Sequence, residues 1–315
     1  MPVWLTWENA ISVLVLTAAL IGWGWIIRNR VTKKLPIVEP LPRERPFWTL
    51  GEFFVCFGLF IICTGAGQTV AQRFFGPETL AARDANTFKI TDLSTSELTI
   101  MITASSLAGV AAMAAVVVWM NLLSRERLDR YGFIPSKADV ILGLKASALV
   151  LPVVVLINSL VTTVVDYEHP VLDIIGASPT VWSLSVLVIT TVIWTPIFEE
   201  FLFRALLQGG AEQMSQRIRN LSPRRGEADP SPAPAHWMVT PADVATWSWW
   251  PVVISSLVFA TLHLGQGGAV VPLFFLAIAL GYLYRQTGRI GPGIVVHFVL
   301  NGFTITIAIV NSLFN

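Results

Sequence analysis

Eight times along its 315 residues the chain runs for about 20 residues with few or no charges, and short charged stretches separate the runs. A run of that length crosses the ~30 Å hydrocarbon layer of a bilayer as one helix. In hydrocarbon, backbone N–H and C=O groups must be paired inside the protein, which leaves helices or a closed barrel as the spanning solutions. The candidate spans are 9–27, 48–72, 99–123, 139–163, 180–208, 248–264, 269–285 and 292–313. Charged residues make up 13% of the chain, half the roughly 25% of a soluble domain. The chain therefore reads as an all-α polytopic membrane protein with about eight transmembrane helices. Its partner is the lipid bilayer. A net charge of +1 provides no basic field for nucleic acid.

The charges between spans orient the chain. With the N-terminus outside, the inside segments are 28–47, 124–138, 209–247 and 286–291, with Arg285 at the last boundary. They hold Arg28, Arg30, Lys33, Lys34, Arg43, Arg45, Arg125, Arg127, Arg130, Lys137, Arg217, Arg219, Arg224, Arg225, Arg285 and Arg289, whereas the outside segments hold only Arg73, Arg83 and Lys89. That asymmetry is a positive-inside signal and places both termini outside. The first span has its basic residues after it, the reverse of a cleaved signal peptide, and is read as retained. The outside loop 164–179 carries Asp166, Glu168 and Asp173 and no base. Trp4 and Trp7 fall at an outer edge; Trp23, Trp25, Trp48, Trp119, Trp247, Trp249 and Trp250 fall at inner edges, as an aromatic belt would. The polar, Pro-rich stretch 224–234 reads as part of a flexible cytoplasmic loop over 209–247. Cys56 and Cys63, both inside one apolar run, form neither a disulfide framework nor a zinc site.

Ionisable residues inside spans are costly and mark function. Glu52 and Lys145 lie near cytoplasmic span ends and are expected to snorkel. The others are Glu199, Glu200, Arg204, His263 and His297. Glu200 and Arg204 are four apart on one helix face and can pair. Glu199 points about 100° away, which leaves one acid not fully compensated: a means of making a general base, or else half of a structural ion-pair knot. His297 and Asn301 share a face one turn apart. Of four histidines, His169 and His236 fall in loops and are assigned no role. At 1.5 Å per residue Glu199 lies about 14 Å from the cytoplasmic end of its helix if that helix stops at 208, and about 22 Å if it runs to 214. His263 lies about 22 Å deep, His297 about 8 Å and Asn301 about 14 Å, so all can meet inside the membrane. Pro196 bars a hydrogen bond to the carbonyl of Val192 and is expected to kink the helix at the acids.

Glu199-Glu200-x-x-x-Arg204, then Phe259-x-x-x-His263, then His297-x-x-x-Asn301, in that order on successive membrane helices, resemble the CAAX-processing and bacteriocin-processing endopeptidase family (CPBP, also called Abi). Thr287-Gly288-Arg289-Ile290 is similar to the family's turn before the last motif. The resemblance covers about 180–305, and the loop 209–247 departs from the family's short connection. The chain divides into N-terminal spans and loops over 1–138 and a catalytic membrane core over 139–315. The resemblance implies an intramembrane endopeptidase acting on a peptide or lipidated membrane protein, and the expected location is a bacterial cytoplasmic membrane. Hydrolysis needs an activated water and donors for the oxyanion, and the motifs contain no Ser-His-Asp or Cys-His nucleophile set. The expected roles are Glu199 as base with His263 helping to hold the water, His297 and Asn301 as oxyanion donors, and Glu200 with Arg204 setting the charge and position of Glu199. No cofactor is favoured. The alternatives are a zinc protease with Glu199, His263 and His297 as ligands, and a transporter or scaffold using the same buried cluster.

Overall fold

The computed structural model describes residues 7–44, 46–76, 79, 93–124, 132, 134–165, 175, 180–221 and 238–314. The stretch 224–234, His169, His236, Arg45, Arg83, Lys89, Arg125, Arg127, Arg130, Asp166, Glu168, Asp173 and Trp4 lie outside the described residues. Helices occupy all eight expected positions: α1 (Trp7–Lys33), α2 (Leu50–Ala71), α3 (Thr95–Ser124), α4 (Lys137–Val161), α5, α6 (Pro241–Thr246) followed by α7 (Trp250–Thr261), α8 (Val270–Thr287) and α9 (Gly291–Phe314). Helix α5 is one continuous rod in which α-helical Val181–Val188, Thr195–Glu199 and Gly209–Leu221 alternate with π-helical Ile189–Trp194 and Glu200–Gln208. Among the described residues six helices are long and apolar enough to cross a membrane, and Trp250–Thr261 is a shorter apolar one. The protein is an all-α polytopic membrane protein. The one sheet among the described residues is a two-residue antiparallel ladder, β1 (Arg43–Glu44) with β2 (Met238–Val239).

Local chemistry sets the helix ends. Thr49 caps α2 and Ser136 caps α4, each in a reciprocal capping box with Glu52 or Asp139 three residues on, which satisfies two orphan N-terminal donors at once. Glu52 therefore folds back on its own helix start, with Oε2 accepting from the Thr49 backbone and hydroxyl at 2.8 Å each, instead of snorkelling. Lys145 is exposed on α4 as expected. Helix α8 stops at Gly288, whose φ of 66° suits a residue without a Cβ. A Cβ there would collide with the Arg43 side chain.

The middle of α5 is the axis of the bundle: every residue from Glu200 to Gln208 is buried. Phe201, Leu202 and Leu206 pack among Phe53 and Cys56 of α2, Met120 of α3, Phe259 of α7 and Tyr284 of α8. A helix buried on all sides must bring partners for its polar residues or lose several kcal/mol per stranded group, on the order of the ~2–7 kcal/mol transfer cost.

The segments expected inside meet at one end of the bundle. The Leu41 N–H donates to Gln286 O at 2.8 Å, Arg43 pairs with Glu212 at 2.9 Å, Arg289 with Asp139 at 2.8 Å, and Arg285 donates to the carbonyls of Val244, Trp247 and Ser248. Glu97 with Gly76, and Ser312 with Ile175, join at the other end. Of the tryptophans expected in the belt, Trp48 and Trp247 are internal instead and Trp23 is half-buried. Trp48 Nε1 donates to Ala205 O at 2.7 Å, Trp23 Nε1 to Leu149 O at 2.9 Å, and Trp247 is buried beneath the Arg43 guanidinium at 4.8 Å. Each finds a fixed polar partner that an interfacial position would not supply.

Candidate active site

The three motifs converge. Glu199 Oε1 lies 3.7 Å from His263 Nε2, and Glu199 Oε2 lies 3.6 Å from His297 Nε2. His297 Nδ1 faces Glu200 Oε1 at 3.7 Å, and Arg204 Nε faces the same oxygen at 3.6 Å. Glu200 and Arg204 are almost completely buried, whereas Glu199 is 16% exposed. The cluster holds two carboxylates against one guanidinium, and the less buried carboxylate opens on a cavity of about 360 Å³ that His263, His297, Asn301 and Phe259 also line.

His263 does not lie within a helix, as the span 248–264 had suggested. Helix α7 ends at Thr261, and the chain turns through a 3₁₀ segment, Leu264–Ala269, in which Gly267 has φ 60° and ψ −125°. Three glycines in five residues do not propagate a helix. His263 sits on this turn, and its Nδ1 lies 2.8 Å from Phe259 O. A carbonyl can only accept, so Nδ1 carries the proton and, in the neutral ring, Nε2 turns a lone pair toward Glu199. The ring also lies 4.8 Å from that of Phe259.

The helix widens into a π turn just before Pro196. The Thr195 N–H reaches Thr190 O, five residues back. In that π register the N–H that would reach Thr191 O belongs to Pro196, which has none. Asn301 Nδ2 donates to Thr191 O from α9 at 2.9 Å. The proline thus orphans Thr191 rather than Val192, because the register shifts by one residue. The asparagine one turn beyond His297 docks α9 on the helix carrying the acids. At the start of α9, the Arg289–Asp139 pair holds the preceding turn, and Gly293 makes room for Glu200, whose Oε2 a Cβ would strike.

A buried polar chain continues from the site. Arg204 Nη1 donates to Ser255 Oγ at 3.1 Å. Ser255 Oγ donates to Gln208 Oε1 at 3.4 Å. Gln208 Nε2 donates to Gly281 O at 2.8 Å and to Glu212 Oε1 at 3.0 Å, and Glu212 Oε2 takes Arg43. Glu200, Arg204, Gln208 and Glu212 are spaced by four in the sequence. That stripe was a readable signal of one polar face on a buried helix, and the motif reading stopped at Arg204. Asn158 and Gln266 also line the cavity, and neither belongs to a motif.

Among the described residues no group of three or more His, Cys, Asp and Glu is arranged to hold a metal ion. The two ring nitrogens of His297 lie 3.6 and 3.7 Å from carboxylate oxygens of Glu199 and Glu200.

What the cluster can do is polarise a water. Glu199 and a neutral His263 Nε2 both accept, so one water can donate a hydrogen to each and keep an oxygen lone pair for attack. No curated protein and no solved structure matches the chain. Residues 181–303, which contain all three motifs, match the family model described as type II CAAX prenyl endopeptidase Rce1-like. Over those residues the chain is similar to the Rce1-like CAAX endopeptidase family.

Proposed function

We propose that the protein is an intramembrane endopeptidase that cleaves a membrane-associated or lipidated peptide with a water activated by Glu199 and His263. The observation that carries this reading is Glu199 between the two imidazoles on the wall of a cavity among membrane helices. The water oxygen attacks the scissile carbonyl carbon while Glu199 takes a water proton. The carbonyl π electrons move to oxygen, and we assign His297 and the second N–H of Asn301 as the donors to that oxyanion. When the intermediate collapses, the C–N bond breaks and the departing amine takes the proton from Glu199. Arg204 neutralises Glu200 from the buried side, so the single net negative charge stays with Glu199.

A second cavity of about 710 Å³, lined by Leu144, Leu151, Leu156 and Phe303, adjoins the first at Val155 and Leu300. Its apolar wall suits the hydrocarbon of a lipidated substrate. The charge asymmetry supports an orientation with both termini outside, and we assign the protein to a bacterial cytoplasmic membrane. We read the reaction as metal-free, because Asn301 one turn from His297 and a His297 flanked by two acids form a donor set rather than a ligand set. Glu199→Ala and His263→Ala should abolish cleavage of a farnesylated peptide while leaving the protein folded and inserted. Full activity in Glu199→Ala refutes the assignment. Near-stoichiometric zinc in the purified protein, with activity lost to a chelator and restored by zinc, would replace it with a zinc site of Glu199, His263 and His297.

A further inference from the structure

The cavity that Glu199 lines also holds two carboxamides that the motifs do not explain. Asn158 projects from α4, outside the family segment, and Gln266 from the turn after His263, and both line the cavity that Glu199 lines. Three other polar side chains there are engaged: Asn301 with Thr191 O, His263 with Phe259 O, Thr304 with Leu300 O. Among the described residues, the side chains of Asn158 and Gln266 make no hydrogen bond. An asparagine on a membrane helix is costly without a partner. A substrate drawn into this cavity has the same difficulty. Its peptide N–H and C=O groups leave water for a wall of Val154, Pro272 and Leu273, where unpaired backbone groups are expensive. A carboxamide carries one acceptor and two donors on a single rigid plane, the complement of a peptide group.

We propose that Asn158 and Gln266 bind the main chain of the substrate beside the scissile bond, holding it extended across Glu199. The ligand is a stretch of peptide backbone, recognised by its N–H and C=O groups whatever the side chains. This rests on the peptidase reading of the site, and it adds a specificity for unmodified peptide groups that the acid-histidine cluster does not itself confer. One consequence is that α4, which precedes the segment matched to the family, contributes to substrate binding.

The test measures binding, so that it stands apart from turnover. The full chain carrying Glu199→Gln is placed in nanodiscs, and a fluorescent farnesylated peptide ending in a CAAX box is titrated. A matched series carries one N-methyl group at each successive peptide bond near the C-terminus. At one or two positions methylation should weaken binding about three- to tenfold, the range of a single neutral hydrogen bond. At those positions the penalty should vanish in Asn158→Leu or Gln266→Leu, as a ligand–protein mutant cycle requires. Each substitution alone should weaken the unmethylated peptide by a similar factor. No binding of the peptide, or a methylation penalty equal in all three proteins at every position, overturns the proposal. Wild-type protein that binds the peptide with the expected pattern but never cleaves it would refute the peptidase reading and leave the backbone site standing.

Discussion

Pro196 provides the means to test apart two roles for Asn301, the docking of α9 and the proposed donation to the oxyanion. Asn301 Nδ2 donates to Thr191 O at 2.9 Å, and in the π register that carbonyl has no backbone partner because residue 196 is proline. Asn301→Ala strands a carbonyl among packed helices, which costs about 1–3 kcal/mol of stability. If the second N–H also meets the developing oxyanion, the rate falls by about 10²–10³-fold as well. Pro196→Ala supplies an N–H at the position from which Thr191 O can be reached. In that background the stability loss from Asn301→Ala should shrink to within about 0.5 kcal/mol, the scatter of independent sites, while the rate loss persists. Stability is read by denaturant or thermal unfolding in detergent, and the rate by a fluorogenic farnesylated peptide. An equal stability loss in both backgrounds refutes the account of Thr191. Recovery of the rate together with stability would show that Asn301 acts only by docking α9, and would remove it from the oxyanion site.

Arg204→Ala should reduce stability by about 3–5 kcal/mol as well as activity, because it leaves the buried Glu200 carboxylate uncompensated. Arg204→Ala with Glu200→Gln should recover part of the stability, and no recovery would show that the loss comes from packing against Phe259 rather than from charge. Reporter fusions after residues 35, 130 and 225 should read cytoplasmic and those after 85 and 172 external. Reversal at two or more positions would invert the orientation and move the joined end of the bundle, with the Arg43–Glu212 and Arg289–Asp139 pairs, to the outer face.

The fold class and the costly residues that converge on the cavity were written locally. Runs of about 20 apolar residues specify helices because hydrocarbon supplies no partner for the backbone, and a Glu, a His or an Arg inside such a run stands out because it is costly there. Glu200 and Arg204 share a face for a reason confined to one helix. The relations that make a site are between helices, and no local rule gives them. His263 comes to Glu199 because a glycine turn, not a helix, carries it. Asn301 finds Thr191 because a π register moved the orphaned carbonyl by one residue, and Trp48 and Trp247 bind inside the bundle because a carbonyl and a guanidinium were there to take them. Helix register, the point at which α7 stops, and which buried polar atom meets which are set by side-chain packing between elements far apart in the chain. Helix periodicity is blind to that packing, and it decided which of the costly residues face one another.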